Sequence, residues 1–545
     1  MMVEAARIDP ITLEVLRHAF TAVAEEMNAN LVRSAYSPNI KERRDCSSAL
    51  FDVRGEMVSQ AESIPVHLGA MPFSVKAAIR DAGAAVPGDV LVLNDPYNGG
   101  AHLPDITFVA PVFREETLVG YVANRAHHAD VGGKEPGSVA GDAVEIYQEG
   151  LRIPVVRLWK GGVLDRELLA LILLNVRTPD ERWGDLRAQY AACRTGIERL
   201  LAIVERRGEE NVRQGMDAVL DYSERRMREE IRRIPDGQST FEDRLDNDGI
   251  HDAPVVLIAT ITVYGGEITV DFSSSDEQVA GPINAVRAVT ASATYFAIRA
   301  LTDPDIPPNA GCYRPIHLVT RPASVVDAAP PAPVVGGNLE TAQRIVDVVM
   351  GAWAGIAADR AIAACQGTMN NIAIGGTDPR NGRPYTLYET IAGGYGASAR
   401  CDGEDGIHSH MTNTLNTPVE ALETAYPLRV ERYELVQGTG GRGTHRGGMG
   451  IRRDVRVLGH DARVSLLTDR RCYPPYGISG GEHGVPGRNA LVRQDGRESE
   501  LPGKTSMTVH AGEAISIQTP GGGGYGPWDQ RSGDAVERDK REGRI

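Results

Sequence analysis

The chain has 545 residues, of which 42% are hydrophobic and 24% are charged. This length is too great for one ordinary domain, and the composition is that of a globular protein with roughly two to four structural units. The formal net charge is −15 and there is no long basic run. Both features argue against nucleic acid or an anionic membrane as a partner.

Membrane insertion and secretion are not expected either. No uninterrupted apolar segment reaches the roughly 18 to 20 residues needed to span a bilayer. The first ten residues, MMVEAARIDP, contain an acidic residue and lack the apolar core of a signal peptide. We therefore predict a cytoplasmic protein.

The cysteines exclude a zinc-ribbon type of metal site, because they are far apart and form no Cys-x-x-Cys pair. They are expected to be reduced, structural thiols. Any metal would then be held by histidine and carboxylate side chains. The six positions are Cys46, Cys193, Cys312, Cys365, Cys401 and Cys472.

The N-terminal segment is predicted to form a helix over residues 9–35. Asp9 can cap it, Pro10 suits its first turn, and apolar residues repeat at spacings of three and four. A charged cluster, KERRD, then runs into a strand-like apolar segment. Asp45 ends that cluster and is either a turn residue in solvent or a side chain that points into a site.

The densest chemistry lies between Asn94 and Gly133. A continuous apolar run, VLVL, predicts a strand buried on both faces that leads to a first polar loop. Two further strands are predicted near 106–113 and 117–125, followed by a second polar loop. Whether the two loops converge decides the function of this segment. The polar side chains in question are His102 and Asp105 in the first loop, and His127, His128 and Asp130 in the second.

The spacing of these residues is compatible with a metal site. His102 and Asp105 are separated by two residues, so a turn can direct both side chains to one ion. His127 can supply a third ligand and Asp45 a fourth, whereas His128 would point to the opposite side of an extended strand. The spacing is common by itself, but the glycines around both loops allow close approach of the backbone to a ligand.

The rest of the chain predicts further helices and then a glycine-rich, β-rich region. The elements are a short helix after Pro72, a helical region at 165–233, a hairpin at 254–272, helices near 287–302 and 339–364, and strands at 428–436 and 451–458. The predicted fold class is α+β, with several units. These are an N-terminal metal-binding part (1–160), a helical segment (161–240), a mixed to β-rich C-terminal part (241–527) and a flexible tail (528–545).

Three well-known motifs occur literally but fail on context. Gly438–Gly443 spells GxGxxG yet joins two strand-like runs, which indicates a hairpin loop and not a dinucleotide site. Gly477–Gly481 spells GxSxG without a preceding buried strand. Gly503-Lys504-Thr505 lacks the upstream glycine of a phosphate-binding loop, so no ATP site is predicted in this chain.

His408 and His410 form a His-x-His pair whose rings would share one face of a strand. The pair could be a second metal site, the wall of a substrate pocket or a hydrogen-bonded pair in the core. The pattern favours the last two.

Several long motifs, taken together, resemble the hydantoinase B family. They are NDPYNGGAHLPD, AHHADVGG, HSHMTNTLNTPVEALE, THRGGMGIRRD and LPGKTSMTVHAGEAISIQTPGGGGYG. The resemblance extends from about residue 8 to about residue 527, with the motifs in the family's order. TPGGGGYG is especially specific, because no general fold requires it.

The resemblance implies a two-component enzyme, such as an ATP-dependent N-methylhydantoinase, 5-oxoprolinase or lactamase. A partner similar to hydantoinase A would bind ATP and Mg²⁺ and phosphorylate an amide or carbonyl oxygen of the substrate. The B-type subunit would then complete the reaction at a metal centre. The missing phosphate-binding loop agrees with this division of labour.

The matched motifs also imply which residues form the site. His102 and Asp105 in GGAHLPD, His127 in AHHADVGG and Asp45 in ERRDCSS would hold Zn²⁺ or Mn²⁺. His128 or Asp130 would act as an orienting group or proton shuttle, a role that rests on adjacency alone.

The predicted function is therefore the metal-bearing subunit of a hydrolase that acts on C–N bonds in cyclic amides, working in a hetero-oligomer. The corresponding subunit of an ATP-dependent ketone carboxylase, for acetone or acetophenone, is the alternative because related subunits would use the same residues. A non-catalytic scaffold that only holds its partner is a third possibility.

Overall fold

The computed structural model of the protein describes residues 8–61 and 63–545, with the backbone alone at residue 68. Residues 1–7, on which the prediction about a signal peptide rests, lie outside the described residues. Within the described ranges, no helix combines the length and apolar character that crossing a membrane requires. All six cysteines carry free thiols.

Helices occur at the N-terminus, in a long central run and between the later sheets. They are α1 (Pro10–Ser34), α2 (Pro38–Lys41), α3 (Pro65–Asp81), α4 (Arg166–Leu174), α5 (Pro179–Arg207), α6 (Glu209–Arg232), α7 (Arg287–Leu301), α8 (Ala310–Tyr313), α9 (Ala342–Ala354), α10 (Val419–Ala425) and α11 (Gly533–Arg541).

The strands up to residue 319 are β1 (Cys46–Phe51), β2 (Met57–Gln60), β3 (Val90–Leu93), β4 (Asp105–Arg114), β5 (Thr117–His127), β6 (Val156–Lys160), β7 (Val163–Leu164), β8 (Gly237–Leu245), β9 (Val255–Tyr264), β10 (Glu267–Asp271) and β11 (Ile316–Val319). Those that follow are β12 (Asn371–Thr377), β13 (Pro384–Glu389), β14 (Leu428–Leu435), β15 (Ile451–Val457), β16 (Ala462–Leu467), β17 (Arg488–Val492), β18 (Glu498–Leu501), β19 (Lys504–Val509) and β20 (Ala514–Gln518).

The strands form separate sheets, and the α+β class predicted from the sequence is confirmed. The first sheet has the order β2-β1-β5-β4-β3-β6-β7 and the second β11-β10-β9-β8. The C-terminal sheets have the orders β13-β12-β16-β19 and β14-β15-β20-β17-β18. One hydrophobic core runs from α1 through the central helices to the second sheet and α9, and a second core lies between the two C-terminal sheets. The domain borders given above stay a prediction.

Helix α1 forms as its sequence predicts. The side chain of Asp9 accepts hydrogen bonds from the backbone N–H groups of Ile11 and Thr12, both at 3.0 Å. These bonds satisfy donors that an uncapped helix leaves open. The apolar stripe that includes Phe20 and Met27 is buried, and the helix packs on α5 and β1.

The antiparallel β4–β5 hairpin brings the two polar loops together. Its turn lies at residues 115–116, so the loop before β4 and the loop after β5 meet at the opposite end. Asp105 lies directly across from His127 in this ladder. The backbone N–H of His127 also donates to the carbonyl oxygen of Asp45 at 3.0 Å, which places Asp45 on the other side of β5.

Helix α3 begins earlier than predicted. Pro65 starts it and Pro72 lies inside it, whereas the sequence placed a helix only after Pro72. A proline fits the first turn because its missing N–H is not needed there. The early start turns residues 65–71 into a helix that covers one face of β1, β4 and β5.

Helix α9 ends earlier than the predicted 364. A π-helical turn, Gly337–Thr341, precedes it and the helix stops at Ala354. The alanine-rich run after it favours a helix by propensity. Instead, the N–H groups of Ala363 and Ala364 donate to the carbonyls of Ala397 and Tyr476, because the segment pairs with remote backbone.

The C-terminal tail also differs from the flexible tail predicted for 528–545. It contains α11, and Asp539 of this helix is buried. Arg531 forms an ion pair with Asp539 at 2.6 Å. A buried, paired carboxylate gives this charged segment a fixed place that its composition did not indicate.

The TPGGGGYG segment threads between loops with almost no space for side chains. A Cβ atom added at Gly522 would lie 2.0 Å from the carbonyl oxygen of Tyr395. The N–H of Gly522 donates to the carbonyl of Gly448 at 2.9 Å, and that of Gly448 donates to Tyr395 at 2.9 Å. Glycine is therefore required here by contact between backbones.

We expect Gly522→Ala to lower the free energy of unfolding by about 1–3 kcal/mol or more, because the added methyl group must push two backbone segments apart. Denaturant midpoints would measure this loss. Gly237→Ala is the matched control, since a Cβ at Gly237 meets nothing within 4 Å. Equal midpoints for the two variants would contradict the packing argument.

Candidate metal centre

Three side chains predicted from the sequence meet at the end of the first sheet. Nε2 of His102 lies 3.1 Å from Oδ1 of Asp105 and 3.1 Å from Nδ1 of His127. Nδ1 of His127 lies 3.3 Å from the same carboxylate oxygen. All three side chains are buried.

The dimensions of this triangle suit a metal ion. Ligand atoms about 2.0 Å from a tetrahedral zinc lie about 3.3 Å from one another, close to the separations found here. Oδ1 of Asp105, one corner of the triangle, has no hydrogen-bond partner among the described residues. Two imidazoles and a carboxylate are also the donor types that Zn²⁺ and Mn²⁺ accept. The residues present therefore fit the predicted metal.

The electrostatics favour the protonation states that a metal needs. Burial by itself would raise the pKa of Asp105, but the imidazoles of His102 and His67 outweigh it and hold the pKa well below its usual range. Burial lowers the pKa of His127 despite its contact with Asp105. An ionised carboxylate and a neutral imidazole are the forms that coordinate cations.

His67 joins the cluster, although no pattern in the sequence indicated it. Its Nε2 lies 3.3 Å from Oδ1 of Asp105 and 3.8 Å from Oδ1 of Asp45. Its Nδ1 lies 3.4 Å from Oγ of Ser47. A single histidine in an apolar helix carries no spacing signal, and only the docking of α3 on the sheet brings it here. Asp45, predicted as a fourth ligand, thus lies at the edge of the cluster beside His67.

Two segments from later in the chain complete the surroundings. Asn338, in the π-helical turn, has its Nδ2 3.3 Å from Nε2 of His102. The ring of Tyr388 stacks on that of His127, with centroids 4.7 Å apart and planes 14° apart. π-Helical turns often occur at functional sites. No motif or spacing in the sequence indicates either contact, although Asn338 directly follows two glycines.

The structure does not bring His128 and Asp130 into this cluster. Nε2 of His128 lies 2.9 Å from Oε1 of Gln189, on the other side of the strand as its position predicts. Burial and the nearby Arg182 lower the pKa of His128 to about 4, so it is neutral. The carboxylate of Asp130 accepts bonds from Arg177 and from backbone N–H groups of the 132–137 loop. These contacts favour a role for both residues in holding the loop after β5.

The His408–His410 pair does not lie on a strand. His410 has a positive φ of 55°, and its Nε2 lies 3.2 Å from Oδ1 of Asp347. This contact is that of a hydrogen-bonded core residue, one of the alternatives predicted for the pair. His408 points elsewhere, and neither of its ring nitrogens has a hydrogen-bond partner among the described residues.

Comparison with known proteins shows the family of this chain. The model of the Hydantoinase B/oxoprolinase family matches residues 9–528. An uncharacterized protein of Methanocaldococcus jannaschii is 41% identical, with 99% of this chain and 94% of that protein aligned. The B-type subunit of a putative D-/L-hydantoinase from Pseudomonas sp. (strain NS671) is 34% identical, with 99% and 93% aligned. 5-Oxoprolinase 1 of Arabidopsis thaliana is 37% identical, with 95% of this chain but 42% of that protein aligned. The chain thus spans less than half the length of this 5-oxoprolinase.

Solved structures show the same fold. The ATP-dependent caprolactamase from Pseudomonas jessenii superposes with a TM-score of 0.92 at 31% identity, covering 99% of this chain and 94% of that chain. An acetone carboxylase chain superposes with a TM-score of 0.91 at 18% identity, covering 98% and 78%. The chain belongs to the hydantoinase B/oxoprolinase family, as its motifs predicted.

We expect His102→Ala and Asp105→Asn to lower the affinity for Zn²⁺ and Mn²⁺ at least about 100-fold, because each removes one of the converging donors. Competition with a chromogenic chelator, together with elemental analysis, would measure this change. His251→Ala is a control, since its side chain is 68% exposed and pairs only with Asp248. Unchanged metal affinity in His102→Ala would exclude this metal centre.

Glu149 supports the segment that contacts His102. Its Oε1 accepts the N–H groups of Val334 and Val335 at 2.8 and 2.9 Å, and Oε2 has no partner among the described residues. Nδ1 of His102 lies 3.4 Å from the carbonyl oxygen of Val335. Burial raises the pKa of Glu149 to about 8, although the two amides oppose it.

The Glu149→Gln variant should therefore change the dependence of stability on pH. An unfolded glutamate has a pKa of about 4.3. Between this value and about 8 the folded state keeps a proton that the unfolded state has lost, so stability of the wild type falls as pH rises through this range. We expect denaturant midpoints of the wild type to fall more between pH 5.5 and 8 than those of the variant. Parallel profiles would contradict the buried, protonated carboxyl group.

Proposed function

We propose that this chain is the metal-bearing subunit of an ATP-dependent enzyme that opens cyclic amides, and that a separate hydantoinase A-type subunit binds ATP and Mg²⁺. The observation that carries this proposal is the buried His102–Asp105–His127 triangle with metal-sized edges. It occurs in a chain that matches an ATP-dependent caprolactamase over 99% of its length. The Pseudomonas relative is named as one subunit of a hydantoinase, which supports a partner for this chain.

The residues of this chain hold the cation and restrict access to it. His102, Asp105 and His127 would be the ligands, and Asp45 and His67 are placed next to them. A bound Zn²⁺ or Mn²⁺ would supply Lewis acidity and lower the pKa of water in the site. His102 and Asp105 are fully buried, whereas Asp45 keeps 6% exposure and His127 keeps 3%.

Phosphorylation by the partner explains why two subunits are needed. An amide carbonyl is a weak electrophile, and a phosphorylated oxygen makes its carbon more reactive.

Tyr388 fixes the plane of the His127 ring by stacking, and its hydroxyl donates to Asn371 at 2.8 Å. Asn338 contacts both His102 and Asp105 from the π-helical turn. These contacts hold the ligand side chains in place before substrate arrives.

The test is reconstitution with a hydantoinase A-type subunit, followed by assays with hydantoin, 5-oxoproline, caprolactam, and acetone with bicarbonate. We expect ADP formation coupled to ring opening of a cyclic amide, no turnover by this chain alone, and a loss of at least about 1,000-fold in kcat with His102→Ala. Bicarbonate-dependent turnover of acetone would instead assign a ketone carboxylase. Full activity of the His102→Ala complex would assign a scaffold. His251→Ala again serves as the control.

A further inference from the structure

A buried cation lies beside the metal centre without a negative partner. Arg43 is 1% exposed, and its guanidinium forms no ion pair with a carboxylate in the described ranges 8–61 and 63–545. Among the other fully buried arginines, Arg182 pairs with Asp185 and Arg470 with Asp347. Arg125 donates to two hydroxyl groups instead. An unpaired buried charge is destabilising unless a ligand or polar network compensates it.

The hydrogen bonds of Arg43 leave one edge of the guanidinium unused. Nη1 donates to Oδ1 of Asn39 and to the carbonyl oxygen of Tyr388, the latter at 2.8 Å. Nη2 donates once, to Oγ1 of Thr390 at 3.0 Å, and Nε has no partner among the described residues. The acceptors are all neutral. The Nε–H and the second Nη2–H form the side of the fork that binds two oxygens of one oxyanion.

The hydroxyl of Thr390 belongs to a chain of threonine hydroxyls. The hydroxyls of Thr390 and Thr414 lie 2.7 Å apart, and those of Thr414 and Thr412 lie 3.2 Å apart. In such a chain the last hydroxyl proton is free to point outward.

The same arginine lies next to the metal cluster. Its guanidinium carbon is 5.0 Å from the centre of the Tyr388 ring, which stacks on His127 at 4.7 Å. Arg43 also precedes Asp45 by two residues in the chain. Asp45 and His127 are also the residues of the cluster that keep a small exposure. The free edge of Arg43 therefore lies close to the metal centre.

We propose that Arg43, with the Thr390–Thr414–Thr412 hydroxyls, binds the phosphoryl group of the activated substrate and positions its ring at the metal centre. This inference rests on the proposed function, in which the partner delivers a phosphorylated cyclic amide. A tetrahedral oxyanion with three terminal oxygens can take the free guanidinium edge and a threonine hydroxyl together. A carboxylate on the substrate could use the same edge but has only two oxygens.

Inorganic phosphate is the probe that tests this site without the partner. It is titrated calorimetrically into the full chain after chelator treatment, so that no metal takes the phosphate. We expect wild-type binding, a loss of at least about tenfold in Arg43→Gln, and an intermediate loss in Arg43→Lys, which keeps the charge but not the fork. Arg213→Gln is the matched control, because Arg213 is exposed and pairs with Glu210 on α6. Acetate, titrated in the same way, should bind more weakly than phosphate.

Three results would overturn the proposal. The first is that the wild type binds no phosphate, the second that Arg43→Gln binds it as tightly as the wild type, and the third that acetate binds more tightly than phosphate. If Arg43→Gln does not fold, wild-type crystals soaked in phosphate decide instead, by showing or lacking the anion at Arg43. A failure of the proposed function is separate. If the chain binds phosphate at Arg43 but its reconstituted complex opens no cyclic amide, the proposed function is wrong. If the complex is active and Arg43→Gln leaves KM unchanged, only the role of Arg43 is contradicted.

Discussion

The register of three antiparallel strands is the constraint on which the centre depends. Asp105 on β4 lies opposite His127 on β5, and the backbone of Asp45 bonds to His127 from the side of β1. A slip of one residue would turn every one of these side chains to the other face of the sheet. The next row of the same face, Ser47, Arg125 and Thr107, is polar as well, and the row beyond it is apolar. The apolar row and α3 fix the register that the polar rows need.

Burying several ionisable side chains in one cluster has an energetic consequence. Buried ions lose several kcal/mol each in hydration, and this loss is recovered only by partners with good geometry. Asp105 is surrounded by three imidazole nitrogens at 3.1 to 3.3 Å without a hydrogen bond to Oδ1. Arg125, in the row below, donates to the hydroxyls of Thr107 and Ser74. A cation in the triangle would be coordinated by Oδ1 of Asp105 and the two imidazoles, so that metal binding and stability are linked.

The second half of the chain closes the centre. Asn338 and Tyr388 come from segments more than 200 residues away in sequence, and both contact the ligand side chains. Tyr388 lies on β13, whose sheet belongs to the C-terminal core. Tyr395, in the loop after β13, accepts a hydrogen bond from Gly448 in the loop after β14, and Gly448 accepts one from Gly522 in the loop after β20. These contacts join the three loops. The site is thus built at one end of three interior strands of the first sheet and is closed by segments from the second half of the chain.

The sequence alone determined the local features. Helix α1, the β4–β5 pair and the hairpin at 254–272 follow from caps, periodicity and turn residues, and the motifs identified the family. The sequence also selected His102, Asp105 and His127, whose convergence follows from a short hairpin. Only the tertiary structure added His67, Asn338, Tyr388 and the unpaired Arg43, and it directed His128 and Asp130 to other contacts. The physical reason is that local order depends on neighbours within a few residues, whereas these contacts depend on how α3, the π-helical turn and β13 dock. Docking depends on packing over the whole core, and the spacing of residues within a short segment does not predict it.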